Sequence, residues 1–172
     1  GFINEGAKTL ALNVLEQMIQ EKRRTTGEGK WQVVKERRDN LALGYFDAEH
    51  KSGGSTAREL QKILRPGKLG PAIGLEAWMR THLEADALLV IADDFAGTGQ
   101  TLVEGMAKFQ AKIDPGIWNR FVDEKRIAVY VMFAFPEAIA KVRKAFPGIE
   151  VVAATVLGDE LRACDEAAGI FA

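Results

Sequence analysis

The stretch ADDFAGTGQTL, residues 92–102, sets two adjacent carboxylates, Asp93 and Asp94, ahead of a loop of small and hydroxylated residues. Neighbouring carboxylates repel, so an ordinary turn has no use for the pair. They suit sugar hydroxyls, which donate to carboxylates, or a hydrated divalent cation. Ala96, Gly97, Thr98, Gly99, Gln100 and Thr101 follow. Glycines let backbone N–H groups come close to a ligand. The start of a helix adds unpaired N–H donors and the positive end of its dipole, and the threonines add hydroxyl donors. A phosphate cradle beside a carboxylate pair fits a ribose 5-phosphate. Other nucleotide motifs fit worse. A P-loop wants a lysine directly after its glycines. GTGQTL lacks the third glycine of the dinucleotide fingerprint, whose acidic residue also follows the loop rather than preceding it.

Such a loop needs a strand to deliver it and a helix to receive it. ALLVIA, 87–92, is a short apolar run of the kind shown by a strand buried on both faces. A helix is expected from about Thr101 to Lys112, broken by DPG at 114–116. RIAVYVMFAF, 126–135, is a second apolar strand. Pro136 then stands at a favourable first helical position for 137–145, and PGIEVVAATVL, 147–157, holds a turn and a third strand. Upstream, LALGYF, 41–46, reads as a strand and DAEHKSGGS, 47–55, as a polar loop. TARELQKIL, 56–64, reads as a helix capped by Ser55 or Thr56, RPGKLGP, 65–71, as a turn, and 72–83 as a helix. Helices are also expected over 9–22, from the spacing of Leu12, Leu15 and Ile19, and over 158–168. Buried strands alternating with helices predict an α/β fold: a mainly parallel sheet with helices on both faces. Such sheets bind ligands beyond the carboxyl ends of their strands, where residues 93–101 lie.

At this point the residues resemble a known family. LLVIADDFAGTGQT resembles the phosphoribosyl pyrophosphate (PRPP) motif of type I phosphoribosyltransferases: an apolar strand, two acids, then a small-Thr-Gly-x-Thr loop. The resemblance implies that Asp93 and Asp94 hold the ribose hydroxyls and that residues 96–101 hold the 5-phosphate. It implies a pyrophosphate loop at Lys51, Ser52, Gly53, Gly54 and Ser55, with Lys51 steadying the departing pyrophosphate; the same residues read equally as a helix cap after a surface loop. Mg²⁺ would arrive with the ligand and be oriented by Asp93 and Asp94, with no direct protein metal site. The order KSGGSTARELQKIL, ADDFAGTGQT, VYVMFAFPEAI, LGDELRACDEAAGIF is similar to a divergent phosphoribosyltransferase-like family of bacterial conflict (antiphage defence) systems, over about residues 41–171. That likeness implies a bacterial cytoplasmic protein with a protein partner in a defence assembly. One departure stands out: residues 65–86 read as a turn and a helix where type I enzymes carry a flexible hairpin that closes over the reaction. Without a lid, water would compete with an acceptor. Two readings follow, a ribosyl-phosphate transferase or hydrolase, and a non-catalytic PRPP or nucleotide sensor or adaptor. Whether the chain is an enzyme stays open here.

The whole chain is consistent with this and excludes little else. Its 172 residues suit a single domain, with an N-terminal helical part over 1–40 and a core over 41–172. The sequence opens on Gly1 and closes on AAGIFA, and we expect it to be a piece of a longer polypeptide. A net charge of −1 supplies no global attraction to nucleic acid or acidic membranes. The basic stretch with Lys22, Arg23, Arg24, Lys35, Arg37 and Arg38 could touch nucleic acid or an acidic partner, but glutamates dilute it and a solvated face is the simpler reading. Its single cysteine, Cys164, makes no disulfide framework and fits a reducing compartment, and no apolar run reaches membrane-span length. His50 and His82 show no metal-ligand spacing. Trp78 and Trp118 read as core, with Trp118 an alternative wall for a base.

Overall fold

The computed structural model describes residues 38–46 and 52–158. Five strands form one sheet: β1 (Leu41–Tyr45), β2 (Lys68–Pro71), β3 (Leu88–Ala96), β4 (Ile127–Ala134) and β5 (Glu150–Val156). Their order is β2-β1-β3-β4-β5, and every pairing is parallel. Five α-helices connect them: α1 (Ser52–Leu64), α2 (Glu76–Thr81), α3 (Gln100–Gln110), α4 (Pro115–Asp123) and α5 (Pro136–Ala145).

Both faces of the sheet are covered, which explains the unbroken apolar runs. On one face α1 lays Ala57, Leu60 and Leu64 over Leu41, Leu43, Val90 and Tyr130. On the other, Leu75 just before α2 and Met79, Met106, Phe109, Phe121 and Val142 from the remaining helices pack over Ala42, Leu89, Ile91, Val129 and Val131. The period-2 alternation of a strand sends Leu88, Val90 and Ala92 to the first core and Leu89 and Ile91 to the second.

Several elements differ from expectation. Residues 65–71 are not all turn: Lys68–Pro71 pairs with β1 as an edge strand. A single 3₁₀ turn at Ala72–Gly74 precedes α2, so the helix expected over 72–83 is only six residues long. DPG does more than end α3. Asp114 accepts hydrogen bonds from the Gly116 and Ile117 amides, and Pro115 occupies the first turn, where its missing N–H costs nothing. The connection around Trp118 is therefore the helix α4, and Trp118 is buried edge-on between Phe109 and Phe146. It packs the core rather than lining a base site. Trp78 is also core, stacked on His82. The helix expected over 9–22, all but the first residue of that expected over 158–168, most of the basic stretch, His50 and Cys164 lie outside the described residues.

Candidate functional site at the carboxyl end of the sheet

From β1 the chain crosses to β2 on one side; from β3 it proceeds to β4 on the other. The crevice between β1 and β3 is thus the point where the winding reverses, and in doubly wound sheets ligands bind there, beyond the strand carboxyl ends. Residues 93–102 lie at that point.

β3 does not stop at Ala92 as expected. It runs on through Asp93, Asp94 and Phe95 to Ala96, held by pairing with β4 from Val131 to Ala134. β1 ends at Tyr45, and its last pairing with β3 is Gly44 with Ile91. The carboxylates therefore sit on a rigid strand that overhangs its neighbour, not on a loop. The Asp94 amide donates to Asp93 Oδ1 at 2.9 Å. Both aspartates are half-buried.

Gly97, Thr98 and Gly99 turn the chain into α3. Gly99 has φ +73°, the left-handed region, and a Cβ there would lie 2.9 Å from the Ala138 carbonyl oxygen. Only glycine meets both conditions without strain. Thr98 Oγ1 lies 3.4 Å from the Gln100 amide, which donates to it, and Gly99 supplies no side-chain cap. The first turn of α3 thus keeps N–H donors without intrahelical partners. Phe95, Ala96, Gly97, Thr98, Gly99, Thr101 and Leu102 line a pocket of about 220 Å³ around that turn. Thr101 is exposed there. Gln100 faces along the helix instead, its amide bonded to Glu104 at 2.7 Å.

The second expected site shifts from loop to helix. Ser52, Gly53, Gly54 and Ser55 form the first turn of α1, four residues before the expected helix start, and Ser55 is exposed. Lys51 lies outside the described residues. A Cβ on Gly53 would stand 3.3 Å from Asp93 Oδ1 and 3.4 Å from the Ala92 carbonyl oxygen, so the start of α1 abuts the carboxylate pair. The structure brings Asp93, Asp94, residues 96–99, Thr101 and the first turn of α1 to one end of the sheet.

Two aromatic residues escaped the sequence reading. Phe95 is 51% exposed, lies close over Gly97 and meets Phe135 edge to face. Its signal was its place between the acids and the glycines. Phe46, just past β1, rests on α3: a Cβ on Gly105 would fall 2.6 Å from its ring. A glycine in mid-helix was the clue there, because it lowers helix stability without another benefit.

Among the described residues no cluster of three or more His, Cys, Asp or Glu side chains is arranged to hold a metal ion, and no helix is long and apolar enough to cross a membrane.

A family model described as PRTase-CE matches residues 4–172. No curated protein matches. The fold is similar to AQ2163 protein from Aquifex aeolicus, at TM-score 0.45 and 12% identity, covering 72% of this chain and 58% of that one. It is similar to TT1426 from Thermus thermophilus, at TM-score 0.45 and 16% identity over 70% and 76%. A purine phosphoribosyltransferase from Pyrococcus horikoshii is similar at TM-score 0.43 and 12% identity over 91% and 90%.

Proposed function

From the premise that this chain belongs to the PRTase-CE family and is a type I phosphoribosyltransferase-like domain, we propose that it binds PRPP or a related ribose 5-phosphate nucleotide together with Mg²⁺. The observation that carries the reading is the 220 Å³ pocket at the start of α3, directly downstream of the Asp93–Asp94 pair. The 5-phosphate would lie on the unpaired N–H groups and the Thr98 and Thr101 hydroxyls. The ribose hydroxyls would donate to the carboxylates. Gly53, Gly54 and Ser55 would offer first-turn amides of α1 to pyrophosphate, and the family resemblance would add Lys51 and Ser52 to this loop.

Two adjacent carboxylates without a third acidic or histidine ligand nearby, among the described residues, fit an ion that arrives on its ligand. Mg²⁺ commonly keeps several waters and binds through one or two carboxylates plus substrate phosphates. When bound it would neutralise charge on the pyrophosphate. Asp93, Asp94 and Lys51 would be the groups touching the reacting end. The chain's own part in any transfer or hydrolysis would be mainly positioning and charge stabilisation, since the sequence supplies no obvious general base.

A second reading, a sensor or adaptor that binds without turnover, is favoured by residues 65–86. Where a closing hairpin would lie, this chain builds an edge strand, a 3₁₀ turn and the short α2. Such a module would report PRPP or nucleotide levels to a protein partner in a bacterial cytoplasmic defence assembly. Calorimetric titration of PRPP with and without Mg²⁺ tests the binding. Magnesium-dependent heat that vanishes in the Asp93→Asn/Asp94→Asn double variant supports it; no heat from folded wild-type protein refutes it. Pyrophosphate release then separates enzyme from sensor.

A further inference from the structure

We infer that the protein carries a second small-molecule site, a cleft among α3, α4 and α5 that takes a single neutral aromatic ring bearing a carboxamide. The cleft shares no lining residue with the pocket at the start of α3 and is independent of the PRPP-binding reading.

The cleft holds about 190 Å³. It opens where α3 ends at Gln110, where α5 ends at Ala145 and where the chain turns into β5. An apolar cavity of about 150 Å³ accepts benzene, so one ring with a small substituent matches the space. Aromatic residues form the floor. The Trp118 ring meets Phe109 at 5.9 Å and Phe146 at 6.4 Å between centroids, both edge to face. Trp118 remains a core residue, and only the little of it left uncovered reaches the cleft. Such rings favour a further ring in an offset or edge-on contact. The wall opposite is set by backbone and not by slack packing. Gly148 turns the chain at φ +91°, and a Cβ there would lie 2.9 Å from Val122 Cγ1. Glycine thus lets the turn before β5 close on α4.

The polar part of the lining is two carboxamides, Gln110 and Asn119, and no lining residue carries a charge. Neither carboxamide makes a hydrogen bond with another described residue. Each offers a donor and an acceptor side by side. A ligand carboxamide presents the same pair reversed and completes two bonds with one of them. An anion fares worse. It would be desolvated without a countercharge in the lining, beside the carbonyl ends of α3 and α5. Lys108 and Lys144 stand in the last turns of those helices but do not line the cleft.

Calorimetric titration of the full chain with benzamide, and with benzoate as its charged counterpart, tests the site. Benzamide should bind with a Kd of about 0.1–1 mM, the range open to so small a ligand, and benzoate at least about tenfold more weakly. Ala145→Leu should fill the cleft from an exposed helix end. It should weaken benzamide about tenfold or more while Tm stays within about 2 °C. The Gln110→Ala/Asn119→Ala double variant changes only exposed residues. It should weaken benzamide about 3- to 10-fold and leave benzoate unchanged, so that the preference between the two probes shrinks. That readout separates recognition of the amide from simple filling of a gap. No benzamide binding by folded wild-type protein would overturn the inference. Equal affinity for the two probes would do the same, as would benzamide binding that survives Ala145→Leu. Benzamide binding abolished by the Asp93→Asn/Asp94→Asn double variant would place the ligand at the carboxyl end of the sheet and overturn it too.

Discussion

The two ends of the sheet are built on opposite terms. At the amino end, most polar groups pair within the protein, although Arg126 Nε is buried without a hydrogen-bond partner among the described residues. Arg126 is 6% exposed and spends its guanidinium on the His82, Leu83 and Ala85 carbonyls. It also lies 4.1 Å over the Phe121 ring and pairs with Glu124 at 2.8 Å. Burial pushes this guanidinium's pKa down and Glu124 pushes it back up, yet an arginine stays charged throughout. At the carboxyl end the reverse holds: among the described residues the Asp94 side chain has no hydrogen-bond partner, the first turn of α3 has no side-chain cap from Gly99, and Phe95 is half in solvent. Largely paired polar groups suit a place that holds the fold together, and unpaired donors and acceptors gathered at a sheet's carboxyl end suit a place that receives a ligand. The comparison can be broken by finding a variant at one end that behaves as if it lay at the other.

The largest expected effect is on stability at the amino end. Arg126→Ala removes three carbonyl contacts and strands them in a half-buried loop. It should cost about 3 kcal/mol, or about 6–12 °C in Tm, with PRPP affinity of the remaining folded protein unchanged. Denaturant melts and titration below the new Tm check both halves. An affinity loss of tenfold or more would erase the separation of the two ends.

At the carboxyl end Gly99→Ala should do both kinds of damage. The left-handed backbone and the 2.9 Å approach to Ala138 predict about 2 kcal/mol of lost stability. Because the same turn forms the pocket, PRPP affinity should fall about tenfold as well, by the expected loss of one or two amide donors.

Gly105→Ala is a subtler case. Alanine is worth about 1 kcal/mol more than glycine inside a helix, but its methyl would meet the Phe46 ring at 2.6 Å. Because the nearest atom is the ring's Cγ rather than a flexible tip, overpacking should win by about 1 kcal/mol. Adding Phe46→Ala should recover that part, a coupling that a double-mutant cycle measures directly. Strictly additive effects would mean that α3 shifts without resistance.

What could be read beforehand follows the same division. β3 and β4 were legible because burial on both faces leaves unbroken apolar runs, β5 because its Val and Ala run is apolar even though it is a half-buried edge strand, and the cradle because its chemistry demands Gly and Thr at fixed places. β2 was not, since KLGP is a four-residue edge with a glycine and a proline and no apolar run. α4 hid behind Asp114 and Pro115, residues that start a helix as readily as they stop one. The glycines of α1 read as loop because a helix rarely begins with two of them, and only the approach of Asp93 gives them a reason. The overhang of β3 past Asp94 depends on β4 reaching equally far, a fact about two strands together. Local signals reveal elements; contacts such as Gly53 with Asp93 and Gly105 with Phe46 require the fold.

The smallest expected effect sharpens the comparison from within the amino end. Arg120 makes two hydrogen bonds to Glu84 and one to Glu124, yet its side chain is 38% exposed and that of Glu84 is 80% exposed. The hydrogen bond and then the charge of Arg120 hold the Glu84 carboxyl below its ordinary pKa. A carboxylate depressed in the folded state adds stability above its unfolded pKa, and that contribution disappears as pH falls through the folded value. Glu84→Gln should therefore lower Tm slightly at pH 7, and the difference should shrink as pH falls through the folded carboxyl's titration. Solvent screening keeps the difference near about 1 °C, and added salt should shrink it further. Arg126, a few residues away, should lose most of its stabilisation independently of pH and salt, because three of its partners are carbonyls and only Glu124 adds a charge. If the two arginines responded alike to salt, charge pairing rather than carbonyl satisfaction would be what closes this end of the sheet.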